Sequence, residues 1–98
     1  MSLPHYARVP GVLVEPIGHL WAAFSPVTGE TSLLNDESAA ILEVLDERPS
    51  TNAEVCRELA ADSGLATDDL LPTITESWPV LVEGGLVRAV NAGHSAPR

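Results

Sequence analysis

The three histidines of this 98-residue sequence are the first candidates for chemistry, because imidazole binds metals and carries protons. His5, His19 and His94 are widely separated along the chain. None lies four residues from another histidine, a cysteine or an aspartate on a predicted helix, which is the spacing that places two metal ligands on one face. The sequence therefore predicts neither a metal site nor a bound cofactor.

Three other groups have a chemical and a structural interpretation. Asp68 and Asp69 could form a carboxylate pair, but acids at a helix start are also favoured by the helix dipole, and we interpret them in that way. The single cysteine, Cys56, lies on the apolar face of a predicted helix, so it is interpreted as a small buried hydrophobe. Gly84-Gly85 follows a helix rather than preceding one, which is wrong for a phosphate-binding loop. We expect no catalytic residues and no enzyme.

The charge and hydropathy of the chain limit its partners. The formal net charge is −9, from 14 acidic and 5 basic residues. This argues against nucleic acid and against an anionic membrane surface, and it is compatible with a neutral or basic peptide. No apolar run approaches the roughly 18 residues that a transmembrane helix needs. The first residues also lack a secretory signal pattern, so we expect one cytoplasmic domain.

The hydrophobic pattern is typical of strands before Asn35 and of helices after it. Three strands are predicted at residues 12–15, 19–24 and 30–34, with Pro16 ending the first strand and a hairpin loop at residues 25–29. Strands joined by such short turns form an antiparallel meander. Residues 1–10 show no period and are predicted to be a poorly ordered arm.

Three helices are predicted after the strands. Asn35 is a helix N-cap for residues 36–46, and Thr51 with Glu54 forms the capping box of a second helix that ends at Gly64. The third helix begins near residue 67. Its predicted inward face carries four apolar residues: Leu70, Ile74, Trp78 and Leu81.

Two prolines complicate the third helix. Pro72 is tolerable only in a first helical turn, and Pro79 is expected to kink or break the helix. Gly84-Gly85 should end it, and residues 86–90 should pack on the core as an extended tail. The predicted domain organisation is an N-terminal arm at 1–11, one domain at 12–90 and a flexible tail at 91–98.

These elements predict an α+β fold that is winged helix-turn-helix-like, with a three-stranded antiparallel sheet followed by three helices. DNA-reading helices carry Arg, Lys, Asn or Gln. The third helix has no Lys or Arg, and its charged residues are all acidic: Asp68, Asp69, Glu76 and Glu83. A protein–protein adaptor or a degenerate DNA-binding regulator is therefore the alternative function rather than the leading one.

The third strand is the last of the meander and so an edge strand. Thr31 and Ser32 give this edge little protection against a further strand, which permits peptide addition and also a homodimer. The third helix is expected to run alongside, with Ile74, Thr75 and Trp78 available to a peptide. Two alternatives stay open: Ile74 and Trp78 belong to the core, or residues 1–10 cover the edge.

Two runs of sequence resemble the PqqD-like family of peptide chaperones, also known as recognition elements for ribosomally made, modified peptides. They are Trp21-Ala22-Ala23-Phe24-Ser25-Pro26-Val27-Thr28-Gly29-Glu30-Thr31-Ser32-Leu33-Leu34-Asn35 and Leu81-Val82-Glu83-Gly84-Gly85-Leu86-Val87. They follow the family pattern of an aromatic strand, a Gly-containing hairpin, Leu-Asn opening a helix and a closing Leu-x-x-x-Gly-Leu-Val. The resemblance covers about residues 12–90, and its details are most similar to the subgroup found in systems with an HprK-related kinase (HPr-rel-A systems).

The resemblance implies a non-catalytic chaperone that binds the leader segment of a precursor peptide as an added strand and presents it to a modifying enzyme. It implies a binding groove between the third strand and the third helix. Carried over by position, the peptide-binding residues would be Thr31, Ser32 and Leu33 on the strand and Ile74, Thr75 and Trp78 on the helix.

Overall fold

Two small antiparallel sheets and three helices make up residues 4–90, which are the residues described by this computed structural model. The strands are β1 (His5–Arg8), β2 (Leu13–Ile17), β3 (Leu20–Phe24), β4 (Thr31–Leu34), β5 (Ser50–Thr51) and β6 (Val87–Val90). The helices are α1 (Asp36–Glu47), α2 (Asn52–Ser63) and α3 (Thr67–Glu83). One sheet has the order β2-β3-β4 and the other β5-β1-β6. The α+β class, the antiparallel meander and the three helices are as predicted, whereas the second sheet was not predicted.

Part of the predicted N-terminal arm at residues 1–11 is a strand of the second sheet, while residues 1–3 lie outside the described residues. His5–Arg8 forms the central strand of that sheet, between β5 and β6. Arg8 also ties β1 to α1, because its guanidinium donates to the Leu42 carbonyl at 3.2 Å and to the Val12 carbonyl at 2.9 Å. The predicted extended tail at 86–90 corresponds to β6, while the predicted flexible tail at 91–98 lies outside the described residues.

Pro16 lies inside β2 and does not end it, so that prediction was wrong. The ladder between β3 and β4 starts where the Ser25 N–H donates to the Glu30 carbonyl at 3.0 Å. Hydrogen-bonded and non-hydrogen-bonded residue pairs alternate along an antiparallel ladder. Counting from the bonded pair Ser25–Glu30, the pair Trp21–Leu34 is also hydrogen-bonded, so the N–H and carbonyl of Trp21 point toward β4. Pro16 stands opposite Trp21 on the other side of β3, at a position where no ladder bond forms.

The predicted helix caps are confirmed. Asn35 accepts the Ser38 N–H at 2.9 Å and starts α1, one residue longer than predicted. Thr51 and Glu54 form a reciprocal capping box at the start of α2. Gly64 ends α2 in the left-handed conformation, with φ at 78° and its N–H bonded to a carbonyl one turn back.

α3 runs without a break from Thr67 to Glu83 through both prolines. Of the predicted kink or break at Pro79, the break was therefore wrong. Each interior proline costs about 3 kcal/mol through a lost hydrogen bond and a steric clash. The four predicted inward residues, all buried, offset this cost: Leu70, Ile74, Trp78 and Leu81. Thr75, whose carbonyl loses the bond from Pro79, is exposed, so water can reach the freed carbonyl.

The core lies between the three helices and the inner faces of the two sheets. Its completely buried apolar side chains come from the meander, all three helices and the last strand. They include Ala23, Ile41, Leu42, Val55, Cys56, Ile74 and Leu81.

A buried hydroxyl joins the meander to the end of α3. Ser25, which is 0% exposed, donates to the Gly85 carbonyl at 2.8 Å. The same oxygen accepts the N–H groups of Val27 and Thr28 at 3.1 and 3.2 Å, so its hydrogen-bonding capacity is full. Gly85 adopts φ of 73°, and a Cβ there would lie 2.6 Å from the Ser25 hydroxyl. Only glycine fits at this junction.

We expect Gly85→Ala to destabilise the fold more than Gly18→Ala. Both glycines have positive φ, so each alanine incurs a left-handed conformational cost of about 1–2 kcal/mol. A Cβ at Gly18 meets nothing within 4 Å, whereas one at Gly85 overlaps Ser25 and Thr28. The excess should be about 1–3 kcal/mol in urea denaturation. Equal losses would contradict a tight junction at Gly85.

The capping box predicts a specific pH dependence of stability. The Glu54 carboxylate accepts the Thr51 backbone N–H at 2.9 Å, which lowers the pKa of Glu54 below its ordinary value. Its stabilisation is therefore complete above the ordinary pKa and is lost as the pH falls through the lowered pKa. Glu54→Gln keeps an acceptor but does not titrate. The free energy of unfolding of the wild type should fall relative to this variant on acidification, and parallel pH profiles would contradict the assignment.

Candidate functional site

β4 forms an open edge of the meander: in residues 4–90 it pairs with β3 alone. Hydrogen-bonded pairs alternate with non-bonded pairs along the ladder, counting from the Ser25–Glu30 hydrogen bond. The N–H and carbonyl of Ser32 are therefore bonded to β3. Thr31 and Leu33 are the intervening positions, so their N–H and carbonyl groups face away from β3. The edge therefore presents two donors and two acceptors to a further strand.

The two edges of the meander differ in their protection. β2 carries Glu15 and Pro16, a charge and a proline of the kind that blunts strand edges. β4 has the sequence Thr-Ser-Leu-Leu, with neither a charge nor a proline. Strand addition is therefore favoured at β4 rather than at β2.

The side chains of β4 alternate between two environments. Thr31 and Leu33 point to the outer face of the meander, where Leu33 is 63% exposed. Ser32 is half-buried on the inner side, and its hydroxyl would lie 3.4 Å from a Cβ placed on Gly84. The edge strand therefore lies beside Gly84, the residue that caps α3, on the side where the sequence predicts a groove.

The three predicted helix residues do not line that groove. Ile74 is 0% exposed, so it belongs to the core. Trp78 is 4% exposed and stacks on Tyr6, with ring centroids 4.0 Å apart and planes 7° apart. Thr75 is exposed, but its hydroxyl accepts a hydrogen bond from the Asn52 amide at 3.1 Å, on the side of α3 that faces α2. The alternative in which Ile74 and Trp78 belong to the core is the one that the structure supports.

Two residues of α3 that lie on the side of Gly84 were not among the predicted site residues. Ser77 and Val80 precede Gly84 by seven and four residues, so they lie on the same side of α3 as Gly84. Ser77 is half-buried and Val80 is 61% exposed. Val80 is therefore an exposed apolar residue on the side of α3 that carries Gly84. Helical spacing identifies both residues once the structure has placed Gly84 beside Ser32.

A groove of about 700 Å³ lies on the side of α3 that faces away from Gly84. We call it the α2–α3 groove, and its lining includes Tyr6, Asn52, Leu71, Thr75, Trp78, Val82 and Ala89. Asn52 occupies a central position there, because its side-chain oxygen accepts the Trp78 indole N–H at 2.9 Å and its amide donates to Thr75. With its polar groups already paired, Asn52 has a structural role.

Two observations on residues 4–90 bear on whether their ionisable side chains could react or bind a metal. Burial raises the pKa of the Cys56 thiol, which disfavours a reactive thiolate. Among the residues that the structure describes, no group of three or more His, Cys, Asp or Glu side chains could hold a metal ion. None of the helices in residues 4–90 is both long enough and apolar enough to cross a membrane.

No protein-family model, curated protein or solved structure matches this chain. The PqqD-like resemblance thus stays a prediction from the sequence, and the winged-helix arrangement stays one as well. What the structure establishes is an α+β fold with antiparallel sheets, three helices and an open edge at β4.

A double-mutant cycle can test the role of Asn52. Asn52→Ala leaves the buried Trp78 N–H without its acceptor, so we expect a loss of about 1–3 kcal/mol in the free energy of unfolding. In the Trp78→Phe background no N–H remains to be left unpaired, and the loss should shrink by about 1 kcal/mol. Chemical denaturation of the four proteins gives this coupling. Additive losses would show that the hydrogen bond does not stabilise the fold.

Proposed function

We propose that this chain is a non-catalytic peptide chaperone that binds the leader segment of a ribosomally made precursor peptide as a strand added to β4. The observation that carries the proposal is the outward direction of the backbone groups of Thr31 and Leu33 on an edge without charge or proline. Main-chain hydrogen bonds of this kind supply affinity in strand addition, and neighbouring pockets supply selectivity.

The surroundings of β4 suggest how a bound peptide would be recognised. Alternate side chains of an added strand would point to the two faces of the meander. Those on the inner side would point toward the end of α3, on the side of the helix where Val80 is exposed. Those on the outer side would lie next to Leu33, which is largely exposed. The peptide is therefore expected to carry apolar residues at alternate positions.

Charge favours a neutral or basic peptide. The chain has a net charge of −9, which attracts cationic segments and repels acidic ones. The same charge, together with the acidic side chains of α3, weighs against the alternative of a DNA-binding regulator. Binding of a basic leader should weaken as the salt concentration rises, because screening removes the long-range attraction.

The PqqD-like resemblance supplies the second half of the proposal. It implies that the bound leader is presented to a peptide-modifying enzyme, which would be the protein partner. Binding and presentation of a peptide need an exposed strand edge, which β4 supplies, and no chemistry of their own.

Proline substitutions along β4 test strand addition directly. Peptides are first selected from a displayed library of random sequences, and binding is then followed by amide NMR. Leu33→Pro removes an outward N–H, so affinity should fall by at least about tenfold while the fold survives. Leu33→Ala keeps that N–H and serves as the matched control for the lost side chain.

Ser32→Pro should instead disturb the fold, because the Ser32 N–H bonds to β3.

Two outcomes would contradict the proposal. One is a selected peptide that binds Leu33→Pro as tightly as it binds the wild type. The other is a set of amide shifts outside Thr31–Leu34 and the end of α3. A response to duplex DNA in place of peptide would favour the winged-helix regulator.

A further inference from the structure

The outer face of the meander is apolar and uncovered. The alternation of side chains along the strands places eight residues on this face: Leu13, Glu15, Ile17, Leu20, Ala22, Phe24, Thr31 and Leu33. Its five large apolar side chains are between 37% and 63% exposed. The opposite face, which bears Ala23 and Leu34, is buried against the core.

Cross-strand register makes the outer face continuous. It consists of three rows: Leu13–Phe24–Thr31, Glu15–Ala22–Leu33 and Ile17–Leu20. Neighbouring strands lie roughly 4.8 Å apart, so the side chains within a row are in contact range. A shallow depression between the first two rows brings Leu13, Glu15 and Phe24 together at the surface. Single exposed apolar residues are common, whereas a continuous patch of this kind is typical of an interaction site.

Glu15 decides what kind of partner fits. It is the only charged residue of the eight, and it lies in the middle row, between Leu13 and Ile17 along its strand and opposite Ala22 across it. An apolar partner that covered it would bury a carboxylate without compensation, which is costly. A partner that presented Lys or Arg at that point would pair the charge.

A second copy of the chain fits poorly. Two copies packed face to face would each bury the Glu15 carboxylate in an interface without a cation, because Glu15 is the only charged residue of the eight. Each copy would also add a net charge of −9 to the complex. Like charges in such a position are destabilising.

We propose that the outer face of the meander is a docking surface for a partner protein that presents an apolar patch with a Lys or Arg side chain opposite Glu15. This surface uses side chains, whereas strand addition at β4 uses backbone groups at its edge. The docking proposal therefore does not depend on peptide binding.

A pair of helical probe peptides tests the proposal on the full chain. Both probes carry the same Leu-rich stripe, with Lys at its centre in one and Gln in the other. The Lys probe should bind more tightly, by roughly fivefold, and should shift amides of β2 and β3. Glu15→Gln should abolish this preference. Glu58→Gln removes one exposed acid from α2, away from the meander, and should leave the preference unchanged.

The docking proposal would be overturned if neither probe bound, or if the two probes bound with equal affinity. It would also be overturned if Glu58→Gln abolished the preference for the Lys probe, or if the amide shifts lay outside the meander. Self-association of the wild type that Leu13→Ser abolishes would also overturn it, because the occupant would then be a second copy. The two kinds of binding are followed on the same wild-type chain: docking should shift amides of β2, whereas strand addition should shift amides of Thr31–Leu34. The two sets of shifts separate a failure of the docking proposal from a failure of peptide capture.

Discussion

The candidate site depends on one buried hydroxyl group. Ser25 uses its donor on the turn after α3 and its two acceptor positions on its own hairpin loop, so it joins two parts of the chain 60 residues apart. The junction is buried, so a polar group left without a hydrogen bond there would lose its hydration without compensation. Gly85 permits the close approach. The position of β4 beside the end of α3 follows from that contact.

α3 is the element that both sheets share. At one side its end meets the meander through Ser25, and at the other its Trp78 ring stacks on Tyr6 of β1. Stacked aromatic rings are stabilised beyond the area that they bury. This double attachment explains why a helix with two interior prolines stays continuous, since a break would cost packing against both sheets.

The two proposed surfaces of the meander follow from the geometry of a single sheet. Backbone groups of Thr31 and Leu33 point sideways from its open edge, while the side chains of the same residues point outward from its face. A peptide at the edge and a protein on the face would therefore be neighbours. Under both proposals, the net charge of −9 would favour basic or neutral partners over acidic ones.

Local sequence determined the helices, their caps and the meander. Asn35, Thr51 with Glu54, and Gly64 act through hydrogen bonds and backbone conformations within a few residues, so their roles can be predicted from the sequence alone. Only the tertiary structure decided the second sheet, because β1 finds its partners some 40 to 85 residues away in β5 and β6. It also decided the candidate site. Periodicity predicted that Trp78 faces inward, but its contact with Tyr6 rather than with β4 depends on which sheet packs on that side of α3.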